Sequence, residues 1–169
     1  MFCPGIPGAG KIIITSIVGE RLWAKFENDA DVGIAYIYCD YRRHDEQKPS
    51  VLIANLLKQL VQKQSSLPES VKELYERHSG KQTPPSTDEI SKILHSVTAN
   101  YPKTFFIIDA LDECQASDGS RDRLLAEIFD LQAKAGASIF AASRFIPEIA
   151  KRFEGGLSLE IRASDGDVQ

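Results

Sequence analysis

The chain alternates short apolar runs with longer amphipathic stretches. Four of the apolar runs have the length of β-strands, and they span residues 32–39, 104–108, 138–142 and 157–161. The second is apolar at consecutive positions, which is typical of a strand covered on both faces. The first and the last alternate more between apolar and polar residues, so we expect them to lie nearer an edge. Strands separated by helical stretches predict an α/β fold with a parallel sheet.

The stretches between these runs carry the periodicity or the end signals of α-helices. In residues 51–63 the leucines recur at helical spacing and form one apolar stripe. Ser86 and Glu89 fit a capping box, in which Glu89 reaches back to the residue before the helix. Gly136 is placed to end a later helix. We expect helices over residues 11–26, 51–63, 68–78 and 121–134, together with one that starts after Ser86.

Length and composition predict one ordinary globular domain. The 169 residues are 43% hydrophobic and 26% charged, and 20 basic against 24 acidic side chains give a net charge of −4. Because no Lys/Arg-rich block is present, we expect neither nucleic acid nor a membrane as a partner. Three widely spaced cysteines, the lack of a signal peptide and the lack of a membrane-spanning apolar run predict a cytoplasmic location.

Residues 5–11 read Gly-Ile-Pro-Gly-Ala-Gly-Lys and match the phosphate-binding pattern GxxxxGK. Glycines permit positive φ and a close approach of the backbone, so that consecutive N–H groups surround a phosphate. The lysine and the N-terminus of the following helix add positive charge. A surface turn rich in Gly and Pro is the alternative that the motif alone leaves open. The predicted nucleotide-binding residues are Gly5, Pro7, Gly8, Ala9, Gly10, Lys11 and Ile12.

Residue 12 departs from the magnesium-dependent form of this loop, which has Ser or Thr after the lysine because that hydroxyl binds Mg²⁺. The alkyl side chain of Ile12 cannot coordinate a hard cation. Thr15 lies on the same helical face, but at ~1.5 Å of rise per residue it is roughly 4–5 Å further along, so we do not expect it to replace the hydroxyl. The sequence predicts weakened Mg²⁺ binding.

Two apolar runs end in charged side chains. Asp109 directly follows the second run, and because ligands bind beyond the carboxyl ends of parallel strands, it is predicted to have the metal-associated role. Asp112 or Glu113 would polarise the attacking water. Arg144 follows the third run, and a guanidinium can hold and sense a phosphate. Cys39 and Cys114 are expected to be small buried residues, not nucleophiles, because no histidine is paired with them.

These motifs in this order resemble the NACHT domain of the STAND class of P-loop NTPases, in the nephrocystin-type version that precedes ankyrin or other repeats in many fungal proteins. The resemblance implies binding of ATP or GTP at Lys11, a Mg²⁺-associated Asp109, catalytic Asp112 and Glu113, and Arg144 as γ-phosphate sensor. It also implies a three-layer sandwich with strand order 5-1-4-3-2. The segments that carry it are 3–11, 36–41, 105–114, 142–144 and 147–149.

Members of this family combine the core with an effector segment, a winged helix and repeats. Only three residues precede Pro4, whereas a strand usually has ~5–6. We therefore expect a truncated first strand, and residues 1–169 as one NACHT-like domain of a longer protein. The expected partners are a nucleoside triphosphate and proteins bound through flanking effector or repeat domains, with a nucleotide-dependent oligomer of the full-length protein.

The resulting hypothesis is a nucleotide-dependent signalling switch, in which slow hydrolysis resets the assembly of flanking modules. The alternative is a catalytically weak scaffold that keeps the fold, which Ile12 and the short first strand favour. A small-molecule phosphotransferase would need an arginine-rich lid, and no segment resembles one.

Overall fold

Strands and helices alternate along the chain, as the sequence predicts. The computed structural model describes residues 1–80 and 83–162, and of residues 44–46 only the backbone is described. The strands are β1 (Phe2–Pro4), β2 (Val32–Tyr38), β3 (Lys103–Asp109) and β4 (Ser138–Ser143). The α-helices are α1 (Lys11–Phe26), α2 (Pro49–Gln62), α3 (Glu69–Ser79), α4 (Thr87–Ala99), α5 (Ser120–Ala135) and α6 (Pro147–Arg152).

The four strands form one parallel sheet in the order β1-β4-β3-β2. The strand that leads to Arg144 lies between the loop strand β1 and the acidic strand β3, as expected. The predicted order 5-1-4-3-2 is wrong because residues 157–161 do not form a strand. They make two isolated bridges to the β1 region, Phe2 with Ser158 and Gly5 with Ile161.

The absence of a fifth strand over residues 157–161 is explained by β1, the strand beside which it would lie. Within the described residues, the bridges of this segment reach only β1 and the residue after it, and β1 has three residues. Phe2 exchanges two backbone hydrogen bonds with Leu157 and Leu159, but Pro4 has no N–H and only accepts one from Ile161. Leu157 also remains 79% exposed. A short partner that lacks a donor does not support a regular ladder.

The two faces of the sheet are covered by different helices, which gives three layers. On one face, Ile34, Ile107 and Phe140 pack against α1. On the other, Ile37 and Phe106 belong to a larger cluster with α2, α4 and α5. Consecutive residues of β3 therefore point into two cores, which explains its uninterrupted apolar sequence.

Local end signals place the helices close to their predicted bounds. Helix α1 begins and ends at the predicted residues. Before α4, Ser86 accepts from the Glu89 N–H and the Glu89 carboxylate accepts from the Ser86 N–H, so the capping box is confirmed. Gly136 ends α5 with φ 67°. No helix within residues 1–80 and 83–162 combines the length and apolarity needed to cross a bilayer.

The outer edge of β2 is closed by side chains of α2. The Gln59 amide accepts from the Tyr36 N–H at 3.0 Å and donates to the Tyr36 carbonyl at 2.8 Å, as a neighbouring strand would. Lys63 donates to the Val32 carbonyl at 2.9 Å. An edge strand normally leaves such groups unpaired, so these contacts cover part of the open edge of the sheet.

Candidate functional site

A cavity of about 890 Å³ lies at the carboxyl edge of the sheet. It is bordered by the loop before α1, the turn after β3, the start of α5 and the end of β4. Gly5 and Ala9 of the predicted binding loop are not among the lining residues. The predicted site residues that line the cavity are Pro7, Gly8, Gly10, Lys11, Ile12, Asp109, Asp112, Glu113 and Arg144.

The glycine-rich loop has the backbone geometry that a phosphate-binding loop needs. Gly8 and Gly10 have φ of 81° and 82°, in the left-handed region that favours glycine. The Ala9 N–H donates to the Ile6 carbonyl at 3.2 Å, which tightens the turn. Helix α1 starts directly after Gly10. The first residues of α1 line the cavity, and the unpaired N–H groups at the start of a helix favour an anion.

The ammonium of Lys11 lies across this loop. Its Nζ donates to the carbonyl oxygens of Gly5 and Ile6, both at 2.8 Å. Burial lowers the pKa of Lys11 below its ordinary value, although the charge of Asp112 opposes this effect. The lysine is thus held by neutral carbonyl groups, which an anionic ligand can replace.

Asp109 is bound by a hydroxyl that the sequence analysis set aside. The Thr15 Oγ1 donates to Asp109 Oδ1 at 3.1 Å, and the Ala110 N–H donates to the same oxygen at 3.0 Å. Thr15 is buried, whereas Ile12 is 55% exposed. Burial raises the pKa of Asp109, and these hydrogen bonds oppose the rise. The signal for Thr15 was a hydroxyl one helical turn after the loop lysine, on the face toward β3.

These residues do not fit a magnesium site of the hydroxyl-plus-carboxylate kind. Ile12 offers no oxygen ligand, and one oxygen of Asp109 already accepts two hydrogen bonds. Among the residues that the structure describes, no group of three His, Cys, Asp or Glu side chains is placed to hold a metal ion. The weakened Mg²⁺ binding expected from Ile12 stays a prediction.

Asp112 and Arg144 form an ion pair at the end of the cavity away from the glycine-rich loop. Its carboxylate is buried, and its guanidinium is partly exposed. The Arg144 backbone N–H donates to Asp112 Oδ1 at 2.7 Å, and its Nε donates to Oδ2 at 2.5 Å. The Asp112 side chain is only 4% exposed. Burial alone would raise the pKa of Asp112, but the hydrogen bonds from Arg144 outweigh it and lower that pKa. Each carboxylate oxygen of Asp112 thus accepts one hydrogen bond from Arg144.

The turn after β3 also contacts the segment that follows β2. Ala110 has φ 51°, and the chain reverses there into the 3₁₀ turn Leu111–Glu113. Glu113 accepts from the Tyr41 N–H at 3.3 Å, and Tyr41 lines the cavity. Cys39 and Cys114 are buried, as expected. The Cys39 thiol lowers the pKa of Cys114, and nearby Arg121 adds to that effect.

Arg121, in the first turn of α5, is a cavity residue that sequence reasoning missed. Its Nε is buried, and no described group accepts a hydrogen bond from it. Its only sequence signal was its place in the first helical turn after an acidic strand. Lys11, Arg121 and Arg144 bring three positive charges to the cavity.

Comparisons with known proteins agree with this geometry. The family described as "Nephrocystin 3, N-terminal" matches residues 1–144. No curated protein matches the chain. Three solved structures share the fold, at identities that show the fold alone. They are the ORC1 protein of Aeropyrum pernix in complex with DNA (18% identity, TM-score 0.58), Cdc6p of Pyrobaculum aerophilum (14%, 0.58) and a Walker-type ATPase of Pyrococcus abyssi (12%, 0.54).

The aligned part is a minority of each of these solved chains. The matches cover 95%, 95% and 99% of the present chain but 38%, 38% and 49% of the three solved chains, respectively. The chain therefore spans less than half the length of the proteins whose fold it shares.

One expectation about partners needs correction. The exclusion of nucleic acid is wrong, because the ORC1 protein, which has this fold, is solved in complex with DNA. The net charge of −4 describes the chain as a whole. It does not describe the local surface on which a nucleic acid would bind, so it does not justify an exclusion.

The family match covers most of the chain, and the fold is shared with a Walker-type ATPase. The loop, the acidic strand end and the arginine lie around one cavity. The chain belongs to the nephrocystin 3 N-terminal family, and its fold is that of the P-loop NTPases.

Proposed function

We propose that the cavity binds the polyphosphate of ATP or GTP and that the domain is a nucleotide-dependent switch with slow hydrolysis. The observation that carries this proposal is one cavity with the GxxxxGK loop on one side and the pair Asp112–Arg144 on the other. By this proposal the bound state controls the assembly of flanking effector and repeat modules.

The loop end supplies binding. Lys11 exchanges the carbonyl oxygens of Gly5 and Ile6 for phosphate oxygens, to which a charge-assisted hydrogen bond is stronger. The N–H groups at the start of α1 add their dipole. Arg121 is the additional phosphate ligand, because its Nε lies buried at the cavity without a described acceptor.

The acidic end of the cavity contains Asp112, Glu113 and Arg144. These residues control hydrolysis and activate the attacking water. While Arg144 donates to both oxygens of Asp112, the pKa of that carboxylate is lowered, which makes it a weaker base toward water. A terminal phosphate that attracts the Arg144 guanidinium frees Oδ2 of Asp112. Asp112 then acts beside Glu113 as the acidic group that polarises water. Hydrolysis is slow because two steps, nucleotide binding and this exchange, must precede it.

The scaffold alternative has its own supporting observation. Ile12 occupies the position of the metal-binding hydroxyl, and it presents an alkyl surface to the cavity. A domain that binds nucleotide without turnover would still use the loop, Lys11 and Arg121.

Calorimetric titration with ATP and with GTP, with and without Mg²⁺, tests the binding step. We expect Lys11→Ala to weaken affinity roughly 10–100-fold, since a charged hydrogen bond contributes about 1.5–3 kcal/mol. Lys58→Ala, an exposed lysine of α2 outside the cavity, is the matched control. Equal affinity of the two variants contradicts the proposal. Arg121→Gln is expected to weaken binding about 3–10-fold, with exposed Arg123→Gln as its control.

A phosphate-release assay on the same proteins separates the switch from the scaffold. Binding with release supports the switch, and binding without release supports the scaffold. The Ile12→Thr variant restores a hydroxyl next to Lys11, so we expect its affinity and release to depend more strongly on Mg²⁺. Equal Mg²⁺ dependence of both proteins contradicts the assigned role of residue 12.

A further inference from the structure

The end of β2 is covered by a helix on only one face of the sheet. Val32 and Ile34 of β2 are buried in the cluster with α1. Tyr36 and Tyr38 point to the same face, because strand side chains alternate, but they remain 55% and 49% exposed. Among the described residues, α1 is the only helix in that cluster, whereas α2, α4 and α5 pack together on the other face. Because parallel sheets normally carry helices on both faces, the place beside α1 and over the end of β2 is open for one more helix.

A groove of about 450 Å³ occupies this place. It lies between α1 and β2, and its apolar and aromatic lining includes Ile12, Trp23, Tyr36, Tyr38 and Ile107. Ile12 and Trp23 are 55% and 42% exposed. At ~1.5 Å of rise per residue, these two residues lie roughly 16 Å apart along α1, which is the length of about three helical turns. The groove therefore has the length of a short helix.

The outer side of α1 is also apolar. Ile13 and Ile17 are exposed on this helix, in addition to Ile12 and Trp23. A helix with one side in water is normally polar on that side, and a helix that is apolar all round is buried. Contiguous exposed apolar surface marks a site of interaction. The surface of α1 and the end of β2 therefore have the character of a contact that another element covers.

The charge around the groove favours a basic occupant. The described residues that line it include the carboxylates of Glu20 and Asp109 and no Lys or Arg. Burial raises the pKa of Tyr38, and three nearby carboxylates raise it further, against the opposing charge of Arg42. Lys63 lies beside the groove, but its Nζ donates to two backbone carbonyl groups. The groove therefore complements a positively charged surface.

We propose that this groove binds an amphipathic helix of a partner protein, with aliphatic side chains on its apolar face and Lys or Arg on its polar face. The apolar face packs on Trp23, Tyr36 and Tyr38. The cations of the helix lie near Glu20 and Asp109. A helix in this position completes the layer that α1 begins.

The groove meets the nucleotide cavity at two residues. Ile12 and Asp109 line both. Ile12 directly follows Lys11, and Asp109 accepts a hydrogen bond from Thr15. A helix in the groove thus contacts the same side chains as a ligand in the cavity, so that each one can change the affinity for the other. This coupling rests on the proposed function, whereas binding of the helix does not.

Two designed helical peptides of ~14 residues, about 21 Å long, test the binding. Both carry Leu on one face, and the polar face is Lys in one peptide and Glu in the other. Trp23 is the only tryptophan of the chain, so its fluorescence reports on the groove. We expect the Lys peptide to shift the emission to shorter wavelength and to bind at least ~10-fold more tightly than the Glu peptide. No shift, or the reverse preference, overturns the proposal.

Substitutions locate the binding site by calorimetry with the Lys peptide. We expect Tyr36→Ala to weaken binding roughly 10–30-fold, because truncation of an aromatic side chain at an interface removes a large contact. Tyr75→Ala, in α3 and 72% exposed, is the matched control. Glu20→Lys should weaken binding roughly 3–10-fold, with exposed Glu73→Lys as its control. Equal affinities within the tyrosine pair overturn the docking site, and equal affinities within the glutamate pair overturn its basic occupant.

Sedimentation of the protein alone tests a second copy as the occupant. We expect a monomer at the concentrations of the peptide titrations. A dimer that Tyr36→Ala dissociates and Tyr75→Ala does not would assign the groove to a second copy, and it would overturn the proposed partner.

Titration of ATP with and without the Lys peptide tests the coupling. We expect the affinity for ATP to change at least about fivefold, and the affinity for the peptide to change by the same factor when ATP is bound. Unchanged affinities overturn the coupling. Absence of ATP binding in the free protein contradicts the proposed function instead, and it leaves the peptide result to stand separately.

Discussion

The two ends of the cavity are built by different means. At the loop end, neighbouring residues in sequence provide the site, and Gly8 and Gly10 give the backbone its shape. At the acidic end, side chains from separate elements hold one another. Thr15 of α1 binds Asp109 of β3, and Arg144 after β4 binds Asp112.

The two ends of the cavity differ in the existing contacts that a ligand must replace when it binds. The loop end offers N–H groups and an ammonium that rests on neutral carbonyl oxygens. At the acidic end Arg144 is already paired with Asp112, so a ligand that attracts Arg144 must first break that ion pair. We infer that binding depends mainly on local structure, and that chemistry depends on tertiary contacts.

The largest effect that separates the two ends is expected from Asp112→Asn. Loss of the carboxylate removes the proposed general base and leaves one acceptor oxygen where Arg144 now has two. We expect phosphate release to fall about 10²–10⁴-fold, while nucleotide affinity changes less than tenfold because the loop is untouched. Single-turnover release and calorimetry measure the two quantities.

Asp31→Asn is the control for this substitution, because Asp31 is exposed and precedes β2 at the opposite edge of the sheet. Equal release from the two variants would show that Asp112 has no part in the chemistry.

Thr15→Val tests how strongly the acidic end depends on its tertiary contacts. The substitution keeps the shape of the side chain, but it removes one of the two hydrogen bonds to the buried Asp109. We expect the free energy of unfolding to fall by about 1–3 kcal/mol, as measured by urea denaturation.

Thr98→Val is a matched control in α4. Thr98 is 0% exposed, and its Oγ1 has no hydrogen-bond partner among the described residues. Removal of an unpaired buried hydroxyl should leave stability unchanged or raise it. Similar losses for the two variants would mean that the Thr15–Asp109 bond contributes nothing.

Gly10→Ala tests the local character of the loop end. A Cβ at Gly10 has no atom within 4 Å, so the effect comes from its φ of 82° alone. We expect about 1–2 kcal/mol of destabilisation. Gly80→Ala also meets no atom, but its φ is −69°. It should be neutral or stabilising by about 0.4–1 kcal/mol, and equal destabilisation by both would contradict this account of the loop.

The smallest expected effect is the change in folding stability at acidic pH, which has opposite signs for Asp112 and Asp109. The folded state lowers the pKa of Asp112, so its contribution to stability is present above its unfolded pKa of ~3.9 and is lost as pH falls through the folded value. The folded state raises the pKa of Asp109, so its ionised form destabilises the protein until pH falls through that raised value.

Urea midpoints between pH 7 and pH 3 test this opposition. As pH falls, the advantage of the wild type over Asp112→Asn should shrink, whereas wild-type stability relative to Asp109→Asn should rise. Parallel curves for the two variants would show that the two carboxylates have the same environment.

Most of what the sequence predicts correctly depends on short-range signals. The capping box Ser86–Glu89 and the glycine before Lys11 each act within a few residues, so both ends of α1 and the start of α4 follow from the sequence. The fifth strand fails because it depends on a distant partner, and Pro4 in that partner lacks a donor.

The contacts that the sequence does not reveal depend on how elements pack. Helical rise alone placed Thr15 too far from residue 12 to matter, but the position of α1 against β3 brings it to Asp109. Arg121 was missed for the same reason, since the turn after β3 decides that α5 begins at the cavity.

The Gln59 amide on the outer strand also limits how this domain can associate. With both polar backbone groups of Tyr36 engaged, an incoming extended peptide finds no donor–acceptor pair to extend the sheet at that residue. Self-association by edge-to-edge strand addition, a common route to aggregation, is opposed at this point by one glutamine.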